Sequence, residues 1–382
     1  MYISKFKTVS AVFLFKRFGD VDYFYDKKNY VSGRNATRRS SIGGDIIYEA
    51  NQYIMNRRDF LYGLNASLGS VAFTSMIAQS AQAATAKKPH FPLAKAKHCI
   101  FLYMEGGPSH IDTFDPKPKL EEYAGREIPG ALKTERRTGA ALPSPFQFRQ
   151  YGESGLPVSE LFPSVARHAD RLLVVRSMHA DVPNHEPSLL LMNCGDGRLV
   201  RPSAGAWVTY GLGTENQNLP GFVAMSPGGY PISGTANWRS AFLPGVFQGT
   251  YIDTKKKKGD ELVEYIRHPV LGEKVQREQF ELMAALDRKH LQQRKTDAAL
   301  ESRITSMELA WRMQFEAGEA FDVTKEPKHI LDRYGDTPHG RQLLIARRLV
   351  ERGVRYVQVW HGAGQPWDSH QEIEKNHRKL AG

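Results

Sequence analysis

The chain has 382 residues, of which 41% are hydrophobic and 24% are charged, a composition typical of a folded globular protein rather than a disordered one. The formal net charge is +11 at pH 7, but the first 58 residues carry 11 Lys and Arg against 5 Asp and Glu, so more than half of the excess lies there. The rest of the chain is only mildly basic, and we expect no nucleic-acid partner. Two cysteines, Cys99 and Cys194, are too few for a disulfide scaffold, and we expect buried thiols rather than a bridge.

A targeting signal is predicted at residues 55–84. A pair of arginines at 57–58 precedes a weakly apolar stretch over residues 63–78, and a small-residue cleavage motif follows at residues 81–83. The pattern resembles a twin-arginine leader, which implies export by the twin-arginine machinery to the periplasm or the extracellular space. The apolar stretch is too short and too weakly hydrophobic for a permanent membrane span. The alternative is an amphipathic surface helix with a chance arginine pair, and residues 1–54 are interpreted as an extension or a mis-assigned start.

The first predicted element of the fold is a strand over residues 99–104, which has no polar residue and is rich in β-forming types. Such a run is typical of a strand buried on both faces in a parallel sheet covered by helices. Gly106 and Gly107 end the strand, and His110 and Asp112 follow directly. Because open α/β sheets bind their ligands at the carboxyl ends of strands, this turn is predicted to form one corner of an active site.

A second buried strand is predicted over residues 171–178, followed by a helix that has Pro187 in its first turn and ends at Gly195. Asn184 or His185 then lies at the helix N-terminus, where free backbone N–H groups and the helix dipole favour an anion such as phosphate or sulfate. Both are candidate catalytic residues, since a histidine here can attack phosphorus or act as a general acid or base. The alternative is a helix-capping histidine, or one buried in the core, without a catalytic role.

The predicted fold class is α/β, with a mostly parallel sheet flanked by helices over residues 85–382. Residues 272–318 have apolar side chains spaced by threes and fours between charges, which predicts a helical hairpin inserted in this domain. A helix over residues 341–351 and a strand over residues 354–360 follow. These elements alternate as expected for a sheet covered on both faces.

Residues 207–249 are rich in Gly, Pro, Ser and aromatic types, which predicts irregular loops and short strands that wall a pocket. One interpretation of Trp238 is stacking on a sugar ring. Packing of this side chain in the core is the favoured interpretation.

A metal site is predicted after the last strand. Asp368 and His370 offer one carboxylate and one imidazole close together, with His361 as a further candidate and Asp112 at the end of the first strand. These ligand types suit a divalent metal, and zinc, calcium, magnesium and manganese are not distinguished. The alternative for the Asp–His pair is a set of hydrogen-bonded loop residues. Because a parallel sheet brings its strand ends to one rim, the expectation is that these groups meet.

Six motifs distinguish the sequence: RRDFL, MEGGPSHIDTFDPKP, NHEPSLLLMNCG, EPKHILDRYG, RRLVERGVRYVQVWHG and WDSHQEIEKNHRK. Together they resemble the domain of unknown function 1501 family, secreted bacterial proteins placed near the sulfatases in the alkaline-phosphatase-like superfamily. The resemblance covers residue 55 to the end. It implies a sulfatase-like sheet that is incomplete at the C-terminus, since similar sequences continue well past residue 382; the chain is therefore expected to be a fragment, inactive as it stands.

The spacing of residues 185–195 is similar to the pattern around the sulfatase nucleophile, which is C/S-x-P-S-R followed by an apolar turn and T-G. The resemblance places His185 where the nucleophile would lie. The chain departs from the pattern at two points, because no Cys, Ser or Thr occupies that position and Leu189 replaces the arginine.

Two functions follow as expectations. The first is a metal-dependent hydrolase of sulfate or phosphate esters, including those on polysaccharides, in which the cations polarise the ester while His185 or a metal-held hydroxide attacks. The alternative is a non-catalytic secreted module that binds glycans or a partner protein. The missing nucleophile favours the module, whereas the polar strand ends favour the enzyme.

Overall fold

A computed structural model of the chain describes residues 96–382 except 130–138, 179, 181, 257–258, 264–267, 269, 295–296 and 363. The leader predicted at 55–84 and the segment 1–54 lie outside the described residues, so both interpretations stay predictions.

The centre of the fold is a sheet of four parallel strands, and a separate pair of antiparallel strands lies beside it. The central sheet consists of β1 (Cys99–Tyr103), β4 (Phe222–Ser226), β5 (Thr250–Asp253) and β6 (Tyr356–Trp360), and the pair consists of β2 (Phe148–Tyr151) and β3 (Leu156–Ser159). The order across the central sheet is β1, β6, β4, β5, so the first and last strands of the chain are neighbours. All residues of β4 and β6 are buried, as expected for the inner strands of a sheet covered on both faces.

Helices cover both faces of the central sheet. The helices of the described residues are α1 (Lys119–Glu122), α2 (Pro163–Ala166), α3 (His185–Cys194), α4 (Ala204–Leu212), α5 (Gly259–Leu262), α6 (Glu273–Arg294), α7 (Ala298–Phe321), α8 (Lys328–Tyr334), α9 (Pro338–Glu351) and α10 (Ile373–Ala381). On one face, α7 and α9 pack on Val357 and Val359 of β6. On the other face, α3 and α4 pack on Phe101, Tyr356 and Trp360.

The predicted fold class is confirmed, because the described part of the chain is a mixed α/β structure whose main sheet is parallel and flanked by helices. The predicted strands at 99–104 and 354–360 correspond to β1 and β6. The predicted helix at 341–351 is α9, which starts three residues earlier behind the N-cap Thr337. No helix in the described ranges is long and apolar enough to cross a membrane.

The buried strand predicted over residues 171–178 is wrong. The segment begins at the end of a 3-10 turn, Ala169–Arg171, and continues without regular structure. Leu173 is 66% exposed, and Val174 packs on a small cluster around Phe114 and Val158, outside the main sheet. A run of four apolar residues indicates partial burial, but it does not distinguish a central strand from a segment that crosses a satellite cluster.

Candidate active site

The turn after β1 packs closely against the loop that follows β6. Gly106 and Gly107 both have positive φ, at 99° and 71°, which only glycine adopts without strain. A Cβ atom at Gly106 would lie 2.5 Å from the backbone nitrogen of Asp368. The backbone N–H of Trp367 donates to the carbonyl oxygen of Glu105 at 3.1 Å. Since β1 and β6 are neighbours, these contacts hold the two strand ends and their polar loops together.

Asp368 is the centre of the polar groups at this end of the sheet. Its Oδ2 atom lies 2.7 Å from Nε2 of His185 and 3.0 Å from Nε2 of His370. Burial opposes ionisation of Asp368, but the hydrogen bonds from the two imidazoles outweigh it and hold the pKa of this carboxyl below its usual range. The structure thus brings together three of the residues that the sequence singled out.

His185 contacts Asp368 because hydrogen bonds hold α3 against the sheet. The side chain of Gln358, on β6, donates to Oδ1 of Asn193 at 2.7 Å, and Asn193 in turn donates to Oδ1 of Asn237 at 3.1 Å. The helix starts at His185, with Asn184 in extended conformation as its N-cap residue, and it ends at Gly195 with φ 76°. Both predicted candidates therefore lie at the helix N-terminus, although the side chain of Asn184 makes no capping hydrogen bond.

Asp112 lies at the end of a 3-10 turn, His110–Asp112, and is only 3% exposed. Its Oδ1 atom has no hydrogen-bond partner, which is costly for a buried carboxylate oxygen. Asp112 and Asp368 both line one cavity of about 410 Å³, together with His110 and His377. Two carboxyl groups and two further imidazoles thus face a common space. We call Asp112, His185, Asp368 and His370 the polar edge.

His361 makes a different set of contacts. Its ring stacks on that of His339, with centroids 4.2 Å apart, and its Nδ1 atom accepts a hydrogen bond of 3.0 Å from the indole nitrogen of Trp367. Burial, followed by the proximity of His339, lowers the pKa of His361 to about 4. The sequence predicted His361 as a metal ligand, and that role stays a prediction.

The donor types at the polar edge fit a divalent cation. Carboxylate oxygen and imidazole nitrogen are ligands of zinc and manganese, and here they lie 2.7 and 3.0 Å apart, in direct hydrogen bonds. The unpartnered Oδ1 atom of Asp112 is a further donor. As arranged, the imidazoles meet Asp368 directly, and no group of three or more His, Cys, Asp or Glu residues in the described part of the chain has the form of a metal site.

Sequence reasoning missed two buried groups next to the polar edge. Nε2 of His377 accepts a hydrogen bond of 3.4 Å from the backbone of Ser109, which ties α10 to the turn after β1. Glu105 is almost fully buried, and one of its carboxylate oxygens lacks a hydrogen-bond partner. Burial raises the pKa of Glu105 to about 7, which the bond from the backbone of Ile232 only partly offsets. The sequence does contain a feature that could have identified Glu105, which is its position between the predicted strand and the two glycines.

Comparison with known proteins gives one match. A family model described as "Protein of unknown function (DUF1501)" matches residues 96–382, which includes all of the polar edge. No curated protein matches the chain, and no solved structure does.

Proposed function

Since the chain belongs to the DUF1501 family, we propose that it is a secreted metal-dependent hydrolase of sulfate or phosphate esters, on the sulfatase-like scaffold that the sequence resemblance implies. The observation that carries the proposal is the contact of Asp368 with two imidazoles beside a cavity that it shares with Asp112. Carboxylates and histidines that cluster in a concave site are typical of the active sites of hydrolases.

The residues that would hold a cation are Asp112, Asp368 and His370. When bound there, a divalent cation would polarise the ester and neutralise the charge that develops on its oxygens. Asp112 is the buried acceptor that now lacks a partner, so a bound cation would satisfy it. This is the physical reason to expect a ligand at this point of the fold.

His185 is the proposed general base and acid. Asp368 accepts from its Nε2 atom, which orients the ring, leaves Nδ1 as the basic nitrogen and stabilises the charged imidazolium. In that orientation the ring can take a proton from the attacking water and return one to the leaving alcohol. Its position at the N-terminus of α3 adds backbone N–H groups that favour an anionic ester.

The test uses the full-length gene product, stripped of metal with a chelator and then supplied with Zn²⁺, Mn²⁺, Ca²⁺ or Mg²⁺. Bound metal is measured by mass spectrometry, and hydrolysis is measured with 4-nitrophenyl sulfate and 4-nitrophenyl phosphate. We expect about one or two tightly bound ions per chain and hydrolysis that depends on the metal. A protein that binds no divalent metal and cleaves neither ester would overturn the proposal.

Export is tested separately. Residues 55–95 are fused to a reporter that is active only when it folds before export, and Arg57 and Arg58 are both replaced by lysine. We expect the natural segment to export the reporter and the lysine pair to retain it in the cytoplasm. Equal export of both fusions would contradict the twin-arginine route.

A second candidate function, a non-catalytic glycan-binding module, is favoured by an exposed set of rings. Trp207 is 46% exposed and lies edge-to-face with Tyr210 and Phe242, at centroid distances of 6.1 and 5.7 Å. Tyr210 continues this row to Phe247 at 5.3 Å. We call these four residues the aromatic surface. Rings of this kind stack on the apolar faces of sugars.

A small cleft of about 130 Å³, whose wall is mainly apolar, adjoins the aromatic surface at Phe247. Gln217 and Arg312 are among its lining residues, and they offer an amide and a guanidinium group to sugar hydroxyls. Retardation of the protein in gels containing soluble polysaccharides tests this function. Trp207→Ala is expected to abolish the retardation and to leave metal binding unchanged, whereas Tyr230→Ala, an exposed ring outside the aromatic surface, serves as the control.

A further inference from the structure

We propose that the 410 Å³ cavity beside Asp112 and Asp368 binds the alcohol part of the substrate, and that this alcohol is aryl or otherwise compact and apolar rather than a sugar. The inference rests on the proposed function, because it assigns the substrate class of the same site. It is carried by the composition of the cavity wall and by the position of its polar groups.

The polar groups of the cavity belong to the turn after β1, the loop after β6 and α10, and the hydrogen bonds of His377 with Ser109 and Ser369 join these three segments. Asp112, Asp368, His110 and His377 contribute carboxyl and imidazole groups, and three of the four are buried. An ester group placed against these residues would leave the rest of the ligand facing the remaining walls. The cavity volume lies within the range of about 300–1,000 Å³ that is typical of pockets for small molecules.

The remaining walls are mainly apolar. Leu120 and Tyr123 come from the segment after β1, Leu142 and Pro143 from the segment before β2, and Ile373 from the first turn of α10. All five are half-buried or exposed in the described part of the chain. A ligand with an apolar body would remove this surface from water.

A sugar fits these walls poorly. Its hydroxyls would face leucine, proline and isoleucine side chains, which offer no hydrogen bond, and burial of an unpaired hydroxyl is unfavourable. Trp367 also lines the cavity, but it is packed almost completely inside the protein and presents no open ring for stacking.

Two lysines of the cavity wall suit an anionic ester. Lys117 and Lys119 both line the cavity, and the exposed Lys117 forms an ion pair of 2.8 Å with Asp115. The ammonium groups of the two lysines would attract a sulfate or phosphate monoester to the cavity.

The experiment measures binding rather than turnover, on the full-length protein loaded with Mn²⁺. Isothermal titration compares methylphosphonate, phenylphosphonate and glucose 6-phosphate. We expect phenylphosphonate to bind at least about 10-fold more tightly than methylphosphonate, because the phenyl ring covers the apolar wall. Glucose 6-phosphate should bind no more tightly than methylphosphonate.

Two substitutions locate the effect. Leu142→Asn should remove most of the preference for phenylphosphonate and leave methylphosphonate binding unchanged. Leu282→Asn, which alters an exposed leucine on α6 outside the cavity, is the matched control and should change neither. Thermal unfolding verifies that both variants fold, as expected from the exposure of the two side chains.

The outcomes separate the two proposals. Equal binding of phenylphosphonate and methylphosphonate, or tighter binding of glucose 6-phosphate, would overturn the inference and leave the esterase proposal standing. A protein that holds Mn²⁺ but binds none of the three ligands would overturn the esterase proposal, and the inference with it.

Discussion

The polar edge and the aromatic surface are both accessible from solvent, but different forces hold them. The polar edge depends on backbone fit: Gly106 lies against the backbone of Asp368, and Gln358 and Asn193 fix the helix that presents His185. The aromatic surface consists of side chains on one face of α4 and on a following loop, and edge-to-face ring contacts connect them.

This difference indicates what each region can do. Hydrolysis requires groups held within a fraction of an ångström, and a region built from backbone contacts and buried hydrogen bonds provides such positions. A glycan-binding surface tolerates small shifts of its rings, because stacking depends weakly on their position. The construction of the polar edge therefore favours catalysis there, whereas recognition is the role that suits the aromatic surface.

The largest effect is expected from a tryptophan in the core. Trp238 is 1% exposed and packs on Trp360, Tyr251 and Tyr230. Trp238→Ala should lower the free energy of unfolding by about 3–5 kcal/mol, because it removes a large side chain from a packed core. Urea unfolding measures this loss, and a loss below about 1 kcal/mol would show that the core under α4 is not packed as described.

The next effect concerns the backbone of the polar edge. Gly106→Ala should lower the free energy of unfolding by about 2–4 kcal/mol, because it adds strain at φ 99° and a clash with the nitrogen of Asp368. Gly107→Ala is the matched control: φ is 71° but nothing lies within 4 Å of the added Cβ, so a loss of only about 1–2 kcal/mol is expected. Equal losses would contradict the close contact.

Asp368→Asn tests the chemistry of the polar edge. It keeps the shape of the side chain but removes the charge that both imidazoles approach. If Asp368 is a ligand, the affinity for a divalent metal should fall at least about 100-fold, since even supporting residues of metal sites contribute 10- to 100-fold. Titration with Mn²⁺ measures this change. Glu281→Gln on α6 is the control, because it makes the same change of charge at an exposed position. An equal fall in metal affinity in this variant would show that net charge, and not Asp368 itself, controls the affinity.

Glu105 predicts a pH dependence of stability. Its pKa rises from 4.5 to about 7 in the folded protein, mainly because of burial. Between these values the unfolded chain releases a proton that the folded chain keeps, so the free energy of unfolding should fall as the pH rises from about 4.5 to 7. The protonation of Glu105 is expected to change the free energy of unfolding by an amount on the order of 2 kcal/mol over this range. Glu105→Gln should flatten this part of the curve, and an unchanged slope in urea unfolding would exclude Glu105 as its source.

The sequence predicted the two strands that meet at the polar edge, because their apolar runs end abruptly in glycine and polar residues. It also predicted the start of α3 and its end at Gly195. The contact between Asp368 and His185 follows from the order of strands in the sheet, and a local pattern does not contain that order. The strand predicted at 171–178 failed for the same reason, since Val174 packs on a satellite cluster that only the tertiary fold creates, whereas Leu173 is exposed.

The aromatic surface shows most clearly that a local sequence pattern does not determine which side chains are buried. Trp207 and Trp238 lie in one Gly- and aromatic-rich stretch, and composition does not indicate which of them faces solvent. The favoured interpretation of Trp238 as a core residue agrees with its burial, whereas α4 and the exposure of Trp207 were not foreseen.

The smallest effect is therefore expected from Trp207→Ala. Because Trp207 is nearly half exposed and its ring contacts are with two other exposed rings, the free energy of unfolding should change by no more than about 0.5 kcal/mol. Urea unfolding beside Trp238→Ala gives a direct contrast between the same residue type in two environments. A loss of several kcal/mol from Trp207→Ala would mean that the exposed rings serve stability, and the reason to assign them a ligand would disappear.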